Sequence, residues 1–224
     1  MLHIHTTYLD NEKNLSPEFV EEVQEMKNKN PEKYAHLVIG QWADVAEGAI
    51  FPTIYECDEF PDWAEKVALG MDFGYTNDPT AIIMCGIVGD DLYFDELTYR
   101  TRMLSKDIIK VLKAYDMDVE SESADPRLID EIYLSGVNIY AVEKGKGSII
   151  AGLDYMQSKR IHITKRSFNL LREFRNYVWD KDKDGNYINQ PVDAWNHGID
   201  SCRYYCLGKL LGKVKTRQND AQYF

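Results

Sequence analysis

Between residues 67 and 99 the chain alternates apolar runs with short polar turns. Val67-Ala-Leu-Gly-Met71 closes on a single acid, Asp72, and a Gly-containing turn leads to a second run, Ala81 to Val88. The turn Gly89-Asp90-Asp91 then leads to a third run, Leu92 to Tyr99. Runs of this length joined by tight turns predict three strands of an antiparallel meander. Asp72 stands out in that pattern, because a carboxylate in a buried strand is costly unless a cation or hydrogen bonds hold it. A cap for the following turn is the plainer role for such an Asp.

Downstream the period lengthens and strands alternate with helices. Ser105 to Tyr115 carries apolar residues at 108, 109, 111 and 112 behind a capping Ser, the spacing of a helix. Asp118 to Ala124 reads as a short strand ending at Asp125-Pro126, and Pro126 opens a helix through Leu134. Asn138 to Val142 and Arg160 to Thr164 read as strands; Ile149 to Gln157 and Asn169 to Val178 read as helices. The expected fold class is therefore α/β, three antiparallel strands followed by strands alternating with helices in one mixed sheet.

Two stretches imitate known loops and fail on inspection. Gly145-Lys146 suggests a phosphate-binding loop, but position 140 is Tyr where Gly is required and Gly147 stands where Ser or Thr is required. Asp180-Lys-Asp-Lys-Asp-Gly185 suggests a calcium loop, but its twelfth position is Pro191, not Glu. A hairpin turning at Asp184-Gly185 is the better reading, with strands around Tyr177 to Asp180 and at Tyr187 and Ile188.

Residues 1–66 differ in texture. Ser16-Pro17-Glu18 opens a helix expected to reach about Asn28, and Asn30-Pro31 opens a shorter one through Leu37. From Gly40 to Trp63 the text is irregular and aromatic. The expected organisation is an arm or linker over 1–66 and one domain over 67–224.

Composition narrows the class. The net charge is −11, which argues at first against a nucleic-acid partner. Its distribution argues the other way: residues 1–66 carry −9, residues 67–139 carry −8 and residues 140–224 carry +6. An acidic early part suits metal ions and a basic late part suits phosphates. No run approaches the roughly 18 apolar residues of a membrane helix. The start lacks a signal-peptide pattern, and the four cysteines show no CxxC spacing, which suits a reducing compartment.

The last helix is expected from about Ala194 to Leu211, with Asp193 as its N-cap. His197 and Asp200 follow on one face, and Asp200 lies in a largely apolar neighbourhood. Asp72 on the first strand, Asp125 past the fourth and Asp200 on the last helix resemble the constellation of an RNase H-like nuclease. In that fold the first and fourth strands are neighbours and the helix lays its Asp beside them. Three carboxylates of this kind hold two divalent metal ions about 3.5–4 Å apart, and oxygen ligands favour Mg2+ or Mn2+.

Longer segments make the resemblance specific. They are His5-Thr-Thr-Tyr-Leu-Asp-Asn11, Gly40-Gln-Trp42 through Gly48-Ala-Ile-Phe51, Gly70-Met-Asp-Phe-Gly-Tyr-Thr-Asn-Asp-Pro-Thr80, Glu122-Ser-Ala-Asp-Pro-Arg127, and Asp193-Ala-Trp-Asn-His-Gly-Ile-Asp-Ser-Cys-Arg-Tyr204. Together they resemble the C-terminal nuclease domain of the large terminase subunit of tailed bacteriophages, the motor that packages viral DNA. The resemblance implies metal ligands at Asp72, Asp125 and Asp200, with His197 beside them. Glu122 competes with Asp125 for the middle position; Asp125 is preferred because it ends the strand before the Pro-initiated helix. Glu96, Glu122 and Asp193 are candidates for supporting places around the ligands. By the same resemblance, residues 1–66 correspond to the end of the ATPase lid and its linker. Met1 is then expected to begin a piece excised from a longer protein.

The resemblance implies a metal-dependent endonuclease that cuts double-stranded DNA in the host bacterial cytoplasm. Its implied partners are an ATPase domain, the portal and the small terminase subunit. Phosphate contacts are expected from Lys144, Lys146, Arg160, Lys165, Arg166, Lys181 and Lys183, and binding should be weak and nearly independent of sequence. A junction resolvase, an RNA–DNA hybrid nuclease and a non-catalytic docking module are the competing readings.

Overall fold

The computed structural model describes residues 13–29 and 46–214. The chain divides into two compact units, Met1–Ala46 and Glu47–Phe224. In the first, helix α1 (Pro17–Lys29) begins as the sequence leads one to expect. Ser16 Oγ accepts a hydrogen bond from the Phe19 amide at 3.2 Å, satisfying one of the orphan donors of the first turn. The helix expected at 30–37 and the segments His5–Asn11 and 40–42 lie outside the described residues.

The second unit is built on a mixed sheet of seven strands. In chain order they are β1 (Tyr55–Cys57), β2 (Glu65–Asp72), β3 (Thr80–Val88), β4 (Asp91–Arg100), β5 (Val119–Ser121), β6 (Ile139–Ala141) and β7 (Arg160–Thr164). Their order across the sheet is β1-β7-β4-β3-β2-β5-β6. The meander β2-β3-β4 is antiparallel as expected. Outside it, β5 pairs parallel to β2, β6 parallel to β5, and β7 parallel to β4. Strand β1 had no clear pattern in the sequence. It adds to the edge of β7 in parallel register, within the stretch expected to be an arm.

Helices cover both faces. Helices α2 (Ser105–Tyr115) and α3 (Pro126–Leu134) bury Ile108, Leu112, Ile129 and Ile132 against Leu69, Met71, Ile82, Val119 and Ile139. The other face carries α4 (Ser148–Gln157), α5 (Phe168–Asn176) and α6 (His197–Tyr205), and Leu153, Met156, Phe174, Ile199 and Cys202 pack there on Ile83, Cys85, Phe94 and Ile163. The residues of β2 alternate accordingly. Leu69 and Met71 belong to the first core, whereas Ala68 belongs to the second. Gly70 shares the Ala68 face, and so does Asp72.

The expected hairpin is present between α5 and α6 as β8 (Trp179–Lys181) and β9 (Tyr187–Pro191). Its turn is fixed by Asp182, whose carboxylate accepts the amides of Asp184 and Asn186, each at 2.9 Å. The final helix starts later than expected. Asn196, not Asp193, precedes its first turn, because Trp195 takes a left-handed φ of 59° and breaks the helix before it. Beyond Tyr205 it continues as a π-helical turn, Cys206–Leu210.

Candidate metal centre

The site lies at the carboxyl ends of two neighbouring parallel strands, β2 and β5, because of strand order. Met71 at the end of β2 pairs with Ser121 at the end of the adjacent parallel strand β5. The next residues, Asp72 as the last of β2 and Glu122 just past β5, therefore stand side by side at that end of the sheet. Glu122 is tied down there: its amide donates to the Met71 carbonyl at 3.3 Å and its Oε1 accepts the Phe73 amide at 3.1 Å.

Helix α6 completes the site by lying almost on the backbone of β2. A Cβ at Gly70 would stand 2.1 Å from the Ser201 carbonyl oxygen, so only glycine permits this approach. Ser201 Oγ bonds the Ala81 carbonyl at 3.1 Å, fixing the helix on β3 as well. The N-terminus of α6 has no cap from its own sequence. Glu173, buried on α5, accepts the amides of Gly198 at 2.7 Å and Ile199 at 3.0 Å and a hydrogen bond from the Tyr99 hydroxyl at 2.8 Å. Burial raises the pKa of Glu173, against the lowering effect of those donors. The sequence carried a signal for it, an acid set among Leu170, Leu171 and Phe174 on the apolar face of a helix.

So held, α6 places His197 Nδ1 3.0 Å from Asp72 Oδ2, with Nε2 3.6 Å from Asp78 Oδ1. Burial pushes the Asp72 carboxyl up to about 7; the His197 hydrogen bond opposes the shift, and the charges of Asp200 and Glu122 add to it. The bond to Asp72 in turn raises the pKa of His197. The other two carboxylates of the cluster face cations. Glu122 Oε2 accepts from Lys144 Nζ at 2.9 Å. Asp200 Oδ1 accepts from Arg203 at 3.0 and 2.9 Å, and Arg203 is itself buried.

Asp125 is engaged elsewhere. Its Oδ1 accepts the Leu128 amide at 3.1 Å, the N-cap bond of α3. Glu96 is likewise committed: its carboxylate accepts from the Asn169 side chain at 2.6 Å and the Leu170 amide at 2.8 Å, at the start of α5. Asp193 is exposed, three residues before the N-cap of α6. Of the acids expected here, then, Asp72, Glu122 and Asp200 are brought together with His197. Among the described residues no three Asp, Glu, His or Cys side chains stand ready to hold one ion as they are turned. The donor set nevertheless fits a hard divalent cation: three carboxylates from a strand, a loop and a helix, and no thiol.

The expected phosphate contacts divide by position and pairing. Arg160 sits at the opposite end of the sheet from Asp72 and donates twice to Asp91, at 2.6 Å each. Arg166 is bound to the buried Asp95, and Lys165 reaches Asp58 at 2.7 Å. Lys181 lies over the Tyr187 ring at 4.4 Å, while Lys146 and Lys183 are exposed and form no ion pair among the described residues. Sequence reasoning passed over Arg100. It lines a cavity of about 550 Å³ with Asn77, Pro79, Tyr99 and Thr101, at the end of the sheet that bears Asp72. Its signal was the basic alternation Tyr99-Arg-Thr-Arg102 after an apolar strand.

Residues 72–207 match the family model described as "Terminase RNAseH like domain". The chain belongs to this family. The terminase domain is also 31% identical over 219 residues to the large terminase subunit of Bacillus phage SPP1, covering 89% of this chain and 50% of that protein. It thus spans about half the length of the curated relative it matches. Among solved structures, the large terminase nuclease domain of bacteriophage SPP1 with bound Mn is 26% identical, with a TM-score of 0.65. That match covers 70% of this chain and 97% of the SPP1 domain. The large terminase of a thermophilic bacteriophage, in complex with ADP, shares the fold at a TM-score of 0.61 and 21% identity, over 94% of this chain and 56% of that one. The fold is the RNase H-like fold of terminase nuclease domains, and no helix among the described residues is long and apolar enough to cross a membrane.

Proposed function

We propose that this chain is a divalent-metal-dependent endonuclease that cuts double-stranded DNA during viral genome packaging. Asp72, Glu122 and Asp200 would hold two Mg2+ or Mn2+ ions. The observation that carries the reading is geometric: Asp72 at the buried end of β2, Glu122 held beside it by the Phe73 amide, and Asp200 on α6, the helix that also sets His197 on Asp72. Three carboxylates crowded in this way are stabilised when cations neutralise them. The Mn in the SPP1 nuclease domain, which this chain matches over nearly that domain's whole length, supports the same choice. Glu122 takes the middle position in preference to Asp125, whose carboxylate is spent on the cap of α3.

When bound, the ions supply an activated water and stabilise the departing 3′ oxygen. The protein supplies the rest. Asp72 anchors from the floor of the site, and Gly70 lets α6 bring Asp200 to it. Glu173 sets the height of the first turn of α6, and so the position of His197. With Nδ1 on Asp72, the other imidazole nitrogen of His197 lies 3.6 Å from the exposed Asp78 and would orient a water or move a proton.

In the whole protein, the stretch 1–66 would correspond to the end of the ATPase lid and its linker, with β1 built into the nuclease sheet. The ATPase domain, portal and small terminase subunit would be partners in the host cytoplasm, and that larger assembly would hold the DNA. Plasmid nicking with Mg2+, with Mn2+ and with chelator tests the proposal. Asp72→Asn, Glu122→Gln and Asp200→Asn should each abolish cutting while the fold survives, and Asp125→Asn should cut at a near-normal rate. An active Glu122→Gln beside a dead Asp125→Asn would reverse the middle assignment. Faster cutting of four-way junctions or RNA–DNA hybrids than of duplex DNA would change the substrate, and failure to bind any divalent ion would leave only a docking role.

A further inference from the structure

The three nitrogen-bearing side chains that face the carboxylates are not held alike. His197 and Arg203 both belong to α6, and Arg203 is buried beside its partner three residues earlier. Lys144 sits on the loop between β6 and α4. The chain is pinned just before it, where the Val142 amide donates to the Ser121 carbonyl at 2.9 Å and the Glu143 amide to the Lys213 carbonyl at 3.0 Å. The sequence Lys144-Gly-Lys-Gly147 follows, with Gly147 at φ +81° and open space around both glycines. The Lys144 side chain is 38% exposed and Glu122 only 12%, so the ammonium approaches the site from the solvent side. Its Nζ also lies 5.3 Å from the centre of the Tyr204 ring.

We propose that Lys144 is a displaceable counter-ion of the metal centre. Its ammonium holds Glu122 until a divalent ion binds there, then swings out on its glycine-rich loop and becomes available to a DNA phosphate. An ammonium and a divalent ion repel across any short separation, and a carboxylate that has given its oxygens to one attracts the other less. Lysine suits this role because its charge is compact and its four-carbon stem flexible, whereas the planar fork of Arg203 is locked in place. Metal loading thereby converts a cation that blocks the site into one that faces the substrate. The inference rests on the metal centre proposed above.

Mn2+ titration of the whole chain by calorimetry, without DNA, tests it. Lys144→Met should bind Mn2+ about three- to tenfold more tightly than wild type, the range expected for loss of one partly exposed competing pair. Lys146→Met, which changes the same loop without touching Glu122, should leave the affinity unchanged. A merely structural lysine would give the opposite sign, weaker binding once removed. A second readout needs no variant. In amine-labelling followed by mass spectrometry, Lys144 of wild type should become several-fold more reactive when Mg2+ replaces chelator, while Lys146 stays constant. Equal or weaker Mn2+ binding by Lys144→Met, or a Lys144 that is no more reactive with Mg2+, overturns the proposal and leaves the metal centre standing. Absence of Mn2+ binding to wild type overturns both.

Discussion

Replacing Asp72 by Asn removes one charge from the floor of the site and almost no volume. In the folded chain the Asp72 carboxyl titrates near 7 against an ordinary value of 3.8, chiefly because it is buried. At about 1.4 kcal/mol per unit, holding it ionised above pH 7 costs on the order of 4 kcal/mol without metal. The sign follows from linkage. A carboxyl whose pKa is raised by folding binds its proton more tightly in the native state, so its stabilising contribution is complete below about pH 4 and is lost as the pH rises through about 7. Between pH 5 and pH 8 that loss is roughly 2–3 kcal/mol. His197, whose pKa is raised by the same hydrogen bond, gives up its share in the same direction as it loses its proton. Neither loss occurs in Asp72→Asn. In chelator, the stability of the variant relative to wild type should therefore grow by roughly 2–3 kcal/mol from pH 5 to pH 8. For a chain of this size that is a relative gain of roughly 5–10 °C in Tm. Calorimetric melting at the two pH values measures it. A difference independent of pH, or a variant less stable than wild type at pH 8, would refute the argument. Added Mn2+ should raise the Tm of wild type and leave the variant nearly unmoved.

Other perturbations separate the parts of the site. His197→Ala should lower the nicking rate by roughly ten- to a thousandfold, the range of a general acid–base contribution, while calorimetry finds Mn2+ affinity nearly unchanged; a wild-type rate with a lower Tm would make His197 structural. Gly70→Ala should destabilise by about 1–3 kcal/mol and weaken Mn2+ binding, since the added methyl meets the Ser201 carbonyl and lifts α6 off β2; unchanged melting and binding would mean the helix is not held by that contact. Reversing the charge of Lys181 and Lys183 together should slow cutting alike on unrelated sequences, and cutting should fall steeply with salt; a site preference that survives both changes would point to base contacts.

Much of this protein is written locally. Element type followed from the period of apolar residues: Pro126–Leu134 and Arg160–Thr164 have the bounds their cap and pattern imply, whereas Ser105, expected as a cap, is the first helical residue of α2, whose N-cap is Leu104, its amide accepted by the Asp107 carboxylate. Asp72, His197 and Asp200 were legible as acids and a His in or beside apolar text. What the sequence could not decide were matters of position between elements. Edge strand β1 is three residues long and is defined by the backbone of β7, which no local pattern reports. Whether Glu122 or Asp125 faces the site depends on the register Met71–Ser121 and on which carboxylate the α3 amides take. Helix α6 begins at His197 because Trp195 breaks the chain and because Glu173, 25 residues earlier than Gly198, supplies the acceptor that Asp193 was expected to provide. The basic residues show the same division. Sequence counts Arg160 and Arg166 as free charges, but folding spends both on Asp91 and Asp95, because only the packed sheet brings those carboxylates within reach.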